Sequence, residues 1–417
     1  MPSSPSAPLR KKLFYGWWIV LAGFCLQMLQ GALLFHGFGA YILPLQGEFG
    51  WKRAEISGVF SMVRAESGLL GPLQGWLISR FGPRCIMQVG MTLFGAGFWL
   101  LAEIDSLISL YLSFALIALG ASLGGFMSIS STIANWFVRR RSIALGLMLA
   151  GMGMGGTLVP LLIHAIATLG WRATAQISGA VIVVLGLPLA QIMRWRPEDH
   201  GYAPDGDGTA GSEEELAEEP SFTVRQALRT PAFWLLSLGH SSALLAVGTV
   251  LTHQIPHMVE GLGMSQQAAA VNVALLVWVV MVGQLTGGYV GDRVNKRLVM
   301  FVCMWLHVGG LLVFALADSA WEARLFAVLH GTAWGVRGTL INAIRADYFG
   351  RVSYAAITGY ASLIIMMGMT LGPLFAGFMY DWQGHYQTAF IVLAVLVGLG
   401  SGAFLAARKP APAAELS

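Results

Sequence analysis

The turn Gly75-Trp-Leu-Ile-Ser-Arg80-Phe-Gly82-Pro-Arg84 returns later in the chain as Gly288-Tyr-Val-Gly-Asp-Arg293-Val-Asn-Lys-Arg297. Gly75 and Gly288, Arg80 and Arg293, and Arg84 and Arg297 are each 213 residues apart. The repeat reaches further. Trp136-Phe137-Val138-Arg139 answers to Tyr348-Phe349-Gly350-Arg351 at an offset of 212, Gly155 and Pro160 to Gly368 and Pro373 at 213, and Gly170 with Thr174-Ala175 to Gly384 with Thr388-Ala389 at 214. A chain with this spacing builds two similar halves in the same orientation, with a site expected near the midplane between them.

What fills the space between the repeated turns is apolar. Hydrophobic residues make up 56% of the chain and charged residues 11%, against about 45–50% and about 25% in a soluble domain. The mean hydropathy is +0.67. Runs of ~20 apolar residues, each enough to cross a bilayer core, recur throughout. Twelve spans are expected, at 15–44, 54–78, 84–104, 108–136, 142–168 and 173–194, then 232–258, 267–290, 298–317, 321–347, 353–380 and 385–406. They are called spans 1 to 12 below. The organisation expected is a tail at 1–13, a six-helix bundle at 14–194, a hydrophilic linker at 195–231, a second bundle at 232–406 and a tail at 407–417. The linker carries the acidic run Glu213–Glu219 and reads as a solvated tether.

Lys and Arg orient the chain. With the N-terminus inside, 19 of the 25 fall in inner segments, and the outer loops hold only Lys52, Arg53, Arg172 and Arg324. That is the positive-inside pattern, so both termini and the linker are expected to be cytoplasmic, in a cell (inner) membrane. The pI near 9 therefore reports topology and not nucleic acid. Cys25, Cys85 and Cys303 lie in or at the ends of apolar segments without metal-ligand spacing and read as reduced structural thiols. The segment MPSSPSAPLRKK has no A-x-A pattern, so no cleaved leader is expected. There is no P-loop, and the string Gly151–Gly156 lies inside span 5, where close helix packing accounts for it. Neither nucleotide, cofactor nor metal is expected, and no enzyme.

Charge inside the membrane is expensive, and it marks candidate sites. Arg64 lies roughly 15 Å into span 2, and Arg337 roughly 24 Å into span 10. A central arginine costs at least ~2.5–3.5 kcal/mol on insertion scales, so each needs a partner, a wet cavity or a ligand. Two readings are open for both: a brace between helices, or an anion anchor whose planar fork fits a carboxylate. Arg64 shares a stripe with Gly68, Gly71 and Gly75, whereas Glu66 lies about 200° around the helix. Glu66 is the leading candidate for a carboxylate that takes and releases a proton, with a permanent ion pair as its rival. Seven histidines (His36, His164, His240, His253, His257, His307 and His330) lie in or at the ends of apolar helices, most of them as packing residues. His330 stands out because it shares a helix face with Arg337, seven residues on. Gln284, Asn342, Asn135 and Tyr360 are candidate neutral ligands.

The paired turns, the six-plus-six helices and the central loop resemble the major facilitator superfamily over essentially all of residues 14–406. In that family the turn, here Gly75, Arg80 and Arg84 with Gly288, Asp292, Arg293 and Arg297, is a gating motif whose acid helps lock the cytoplasmic gate. The acid is Asp292 in the second copy but Ser79 in the first, so the resemblance implies that the first-half gate relies on other contacts. Tyr15-Gly16-Trp17-Trp18, Glu48-Phe49-Gly50-Trp51, Arg80-Phe-Gly-Pro-Arg84, Trp136-Phe137 and Pro197-Glu198-Asp199-His200-Gly201 resemble the monocarboxylate porters and their bacterial relatives. Those porters commonly place an arginine in span 8. Matching the pattern puts Gln284 there, with Val280 at an acidic position and His36 where some members use a lysine of span 1.

These residues together lead us to expect an all-α membrane protein with the major facilitator fold. It would carry a small organic anion, a monocarboxylate, by proton symport and alternating access. Arg337 and Arg64 would hold the anion, with Gln284, His330, Asn342 and Tyr360 shaping the site. Glu66 or His36 would carry the proton. The partners would be a small-molecule substrate, protons and the bilayer. Open beside this are a neutral or cationic solute, an exchanger, and a sensor that binds without transport.

Overall fold

The computed structural model describes residues 14–51, 53–206 and 221–411. In a bilayer core every backbone polar group must be satisfied within the chain, and among the described residues twelve long helices do this. They are α1 (Tyr15–Phe49), α2 (Arg53–Leu69 continued by Gly71–Phe81), α3 (Pro83–Ala102), α4 (Leu107–Trp136), α5 (Arg141–Leu169), α6 (Trp171–Ile192), α7 (Pro231–Gly261), α8 (Gln266–Gly291), α9 (Lys296–Ala315), α10 (Ala320–Phe349), α11 (Tyr354–Gln383) and α12 (Gln387–Ala406). No strand occurs among the described residues. Ten of the twelve are apolar enough to cross a membrane by composition alone; the other two are α2 and α10. Those are the helices that carry Glu66 with Arg64 and Arg337 with Arg345. Their place in the membrane therefore depends on how those charges are answered.

Several helices expected to be continuous are interrupted, and glycine or proline stands at most of the breaks. A π segment at Gly31–Phe35 interrupts α1, and Gly124-Gly125 breaks α4. A 3-10 turn at Gly156–Leu158 precedes Pro160 in α5, and a π segment at His257–Gly261 follows Pro256 in α7. Proline removes one helical donor and clashes with the preceding turn, so the ladder must widen or tighten beside it. The joins between α2 and α3 and between α5 and α6 are one residue long. Gly82 (φ 79°, ψ 153°) and Gly170 (φ 83°, ψ 158°) make them in a backbone region that a Cβ disfavours.

Among the described residues two large apolar cores result, with smaller clusters beside them. One packs Tyr41, Phe94, Phe98, Phe114 and Trp136 among α1–α6, and the other packs Phe233, Phe314, Phe326 and Phe390 among α7–α12. Large apolar side chains such as Leu43, Ile108, Trp321, Trp382 and Leu399 point outward, as a lipid-facing surface requires. The halves meet along two seams, α5 against α8 and α2 against α11. Small residues set the approach. A Cβ on Gly75 would lie 2.6 Å from the Ala355 carbonyl oxygen and 2.7 Å from Ala356 Cα, and one on Gly288 would lie 2.8 Å from Ile143 Cα. The two repeat-related glycines thus do the same job on opposite seams.

The first part of the linker is docked, contrary to the expectation of a free tether. Tyr202 packs against Tyr15 and Trp136, and Asp205 accepts from the amides of Val138, Arg139 and Arg140 at 3.0, 2.9 and 3.2 Å. The acidic run Glu213–Glu219 lies outside the described residues, as do 1–13 and 412–417.

The glycine packing makes a direct prediction. A Cβ on Gly335 of α10 would collide with the Val280 carbonyl of α8, whereas Gly402 of α12 faces open space. Gly335→Val should destabilise the purified protein by about 1–3 kcal/mol through overpacking, read as earlier thermal unfolding. Gly402→Ala should unfold no earlier than the wild type, since alanine is the better helix former.

Candidate functional site

Arg337 is the most deeply buried charge in the second half. Helix α10 holds it at 0% exposure, between α7 and α9. Its Nε donates to Nε2 of His307 at 3.4 Å, and its Nη1 is bonded to Nδ1 of His240. His307 in turn shares a 3.1 Å hydrogen bond, Nδ1 to Nδ1, with His330. Nη2 of Arg337 and Nε2 of His330 are both buried without a hydrogen-bond partner. The four ion pairs of the described residues all lie elsewhere. So the guanidinium is met by neutral rings and by no carboxylate. Charge-assisted hydrogen bonds contribute about 1.5–3 kcal/mol each, enough for two of them to offset an insertion cost of ~2.5–3.5 kcal/mol. They do not neutralise the charge or satisfy Nη2.

The other expected residues are more dispersed. Gln284 lies on the α5–α8 seam, where its backbone carbonyl meets Gly146 and its Oε1 is buried without a partner. Asn342 is buried on α10, one turn beyond Gly338, whose carbonyl accepts its Nδ2 at 2.8 Å. Tyr360, on α11, is 40% exposed. Glu66 is half-buried on α2, and among the described residues its carboxylate has neither hydrogen bond nor ion pair. His36 sits at the break in α1, with its ring about 3.5 Å from where a Cβ on Gly156 would lie, beside the kink in α5. The side chain of Arg64 lies outside the described residues.

Sequence reasoning singled out Arg337 and His330 but left His240 and His307 among the packing histidines. Nothing in their spacing brings 240, 307, 330 and 337 together, because three helices must be docked first. A second arginine of α10, Arg345, is 3% exposed with a buried, unpartnered Nη2, and its place near the helix end gives no sign of this.

The end of the molecule that carries the basic turns is closed. Asp292 reaches across the α5–α8 seam and accepts from the amides of Ser142 at 2.8 Å and Ile143 at 3.1 Å, capping the start of α5. A carboxylate there meets unpaired helical donors and the positive end of the dipole. Burial pushes the Asp292 carboxyl up, opposed by those hydrogen bonds and by the charge of Lys296. The repeat-related Ser79 instead donates back to its own helix, to the Gly75 carbonyl at 2.8 Å. The corresponding seam is held from the linker, where Glu198 pairs with Arg351 at 2.6 Å, and Arg351 also donates to the Asn135 carbonyl at 3.2 Å. Asp347 ties the halves further through Arg141 at 2.7 Å, and within its own half pairs with Lys296 at 2.8 Å. Of the remaining motif residues, Arg80 is exposed and Arg293 lies over the Tyr289 ring at 3.7 Å. Arg84 bonds the side chain of Gln191 near the end of α6, and Arg297 donates to the Phe404 and Leu405 carbonyls near the end of α12. Cations at helix C-termini are favourable there.

Two six-helix bundles that meet along two seams, close at one end and keep an uncompensated cation inside one of them define a polytopic membrane transporter. The profile of the Major Facilitator Superfamily matches residues 19–269 and 247–417, and the chain belongs to that superfamily. It is 26% identical over 410 residues to monocarboxylate transporter 11 of Mus musculus, covering 95% of this chain and 88% of that one. It is 24% identical over 400 residues to the oxalate:formate antiporter of Oxalobacter formigenes, covering 93% and 89%. Among solved structures, the human organic anion transporter MFSD10 superposes with a TM-score of 0.68 at 17% identity, over 94% of this chain and 97% of that one.

The gate carries its own prediction. Replacing Asp292 with Ala removes the cap on α5, a loss of about 1 kcal/mol, or roughly five-fold in the ratio of closed to open forms. Spin labels at the exposed Phe81 and Val352, which flank the α2–α11 seam, should report one short distance in the wild type. Asp292→Ala should add a second, longer population. An unchanged distance distribution would show that the cap does not hold the gate.

Proposed function

We propose that the chain is a proton-coupled symporter of a small monocarboxylate that works by alternating access. One observation carries this: Arg337 is fully buried, bonded only to neutral histidines, and has an unpaired Nη2. A cation held in that way recruits an anion, and the planar fork suits a carboxylate better than a point charge would. Two relatives are named for carboxylates, one a monocarboxylate transporter and the other an oxalate:formate antiporter.

In this reading Arg337 and Arg64 hold the anion, while Gln284, His330, Asn342 and Tyr360 shape the space around it. Glu66, half-buried and without a partner among the described residues, exchanges protons with solvent, and His36 is the second candidate. The bundles at 14–194 and 232–406 rock about the two seams, joined by the linker at 195–231. The basic, closed end faces the cytoplasm with both termini, and the membrane is the cell (inner) membrane.

Reconstituted protein tests the reading with lactate, formate and oxalate as probes. Counterflow should exchange label, and an inside-alkaline gradient should drive accumulation of a monocarboxylate. Glu66→Gln should lose that accumulation and keep exchange. Arg337→Lys should weaken binding about tenfold, the equivalent of about 1.4 kcal/mol, and Arg337→Ala should remove it. Wild-type affinity in a folded Arg337→Ala protein would make Arg337 a structural brace and favour a neutral solute. A chain that binds a probe but moves no label would be a sensor, and label that exchanges without responding to the gradient would identify an exchanger.

A further inference from the structure

We propose that His240 is where the proton meets the anion, because its Nδ1 occupies an arm of the Arg337 fork that a carboxylate needs. The inference rests on the anion-anchor reading of Arg337 and places on His240 the proton that is bound together with the anion, leaving to Glu66 the exchange of that proton with solvent.

The hydrogen bonds dictate the tautomers. Arginine has only donors, so His307 Nε2, which meets Arg337 Nε at 3.4 Å, must be an acceptor. The ring proton of His307 therefore lies on Nδ1 and is donated to His330 Nδ1 at 3.1 Å. That leaves the His330 proton on Nε2, which is buried without a partner. By the same logic His240 Nδ1 accepts from Arg337 Nη1, and its proton is on Nε2. All three rings are then neutral. The cluster ends in unanswered donors, Nη2 of Arg337 and Nε2 of His330, and contains no acceptor to spare.

A carboxylate binds a guanidinium best through two parallel hydrogen bonds along one edge. Nε gives its single N–H to His307, one of the two N–H groups of Nη1 goes to His240, and Nη2 has no partner. The His240 ring therefore competes with a carboxylate for Nη1. A proton from solvent placed on His240 Nδ1 ends its bond with Nη1, because that atom becomes a donor. Nη1 and Nη2 are then available together, and the imidazolium adds a second positive charge that the incoming carboxylate neutralises. Without the anion, imidazolium and guanidinium would repel at close range. Proton and carboxylate thus each make the other's binding favourable, which is the coupling a symporter requires. Of the four side chains only His240 retains exposed surface, while His307, His330 and Arg337 are at 0%. The groups that act on His240 are Arg337 and Arg345 of α10 and His307 of α9; beyond them His330 lies against His307, Cys303 against Arg337, and Tyr354 of α11 against Arg345. Among the described residues no carboxylate joins them.

The test is the pH dependence of binding, measured on the purified full chain with labelled lactate and formate between pH 5.5 and 8. One proton taken up per anion makes the wild-type apparent Kd rise about tenfold for each pH unit over the linked range. His240→Leu removes the competitor for Nη1 and should bind with a pH-independent Kd near the low-pH wild-type value. His240→Gln keeps an acceptor that cannot take the proton, so its Kd should also be flat but at least about tenfold weaker. A merely structural histidine would change affinity without flattening the profile. If either folded variant keeps the wild-type slope, His240 is not the coupling group, and the anion-anchor reading still stands. Wild-type protein that binds neither probe at any pH removes that reading and this inference with it.

Discussion

The unanswered charge of Arg337 is the constraint on which the second half of this transporter depends. Burying a guanidinium in a bilayer-spanning bundle is tolerable only with partners, and two histidines from two other helices supply them, one of them backed by His330. Rings on α7 and α9 converge on one side chain of α10, so the fork also ties these three helices to one another. A carboxylate in the same place would have made a permanent ion pair, stable but closed to other anions. Neutral acceptors hold the arginine in place and leave its charge unspent.

The gate is asymmetric for an equally local reason. Asp292 caps the first turn of α5 from across the seam, and the same position in the first repeat is Ser79, too short and already bonded to Gly75. The seam between α2 and α11 therefore draws on the linker, through Glu198 and Arg351, and on Asn135. A linker that is part of the lock differs from a tether. Its docked segment, fixed by Asp205 on the amides that precede α5, places Glu198 where Arg351 can reach it.

Much of the fold was legible because periodic apolar runs and lysine and arginine flanks act locally along the chain. Twelve helices lie within a few residues of their expected ends, and the superfamily follows from the duplicated turn. The interruptions at Gly31–Phe35 and His257–Gly261 were not foreseen, since a π segment depends on how a neighbouring helix packs. Arg337 was visible as a costly charge. Its partners His240 and His307 were not, because helix docking alone brings residues 30 and 97 positions away onto one guanidinium. The burial of Arg345 was hidden for a different reason: near a helix end, sequence cannot tell an arginine that reaches solvent from one turned inward.

The most direct measurement is an experimental structure of the chain in lipid nanodiscs at pH 5.5 with lactate present. The carboxylate is expected on Nη1 and Nη2 of Arg337, with the His240 ring withdrawn from Nη1 and the His307 bond to Nε kept. A lactate seated elsewhere, with Arg337 still bonded to His240, would contradict it.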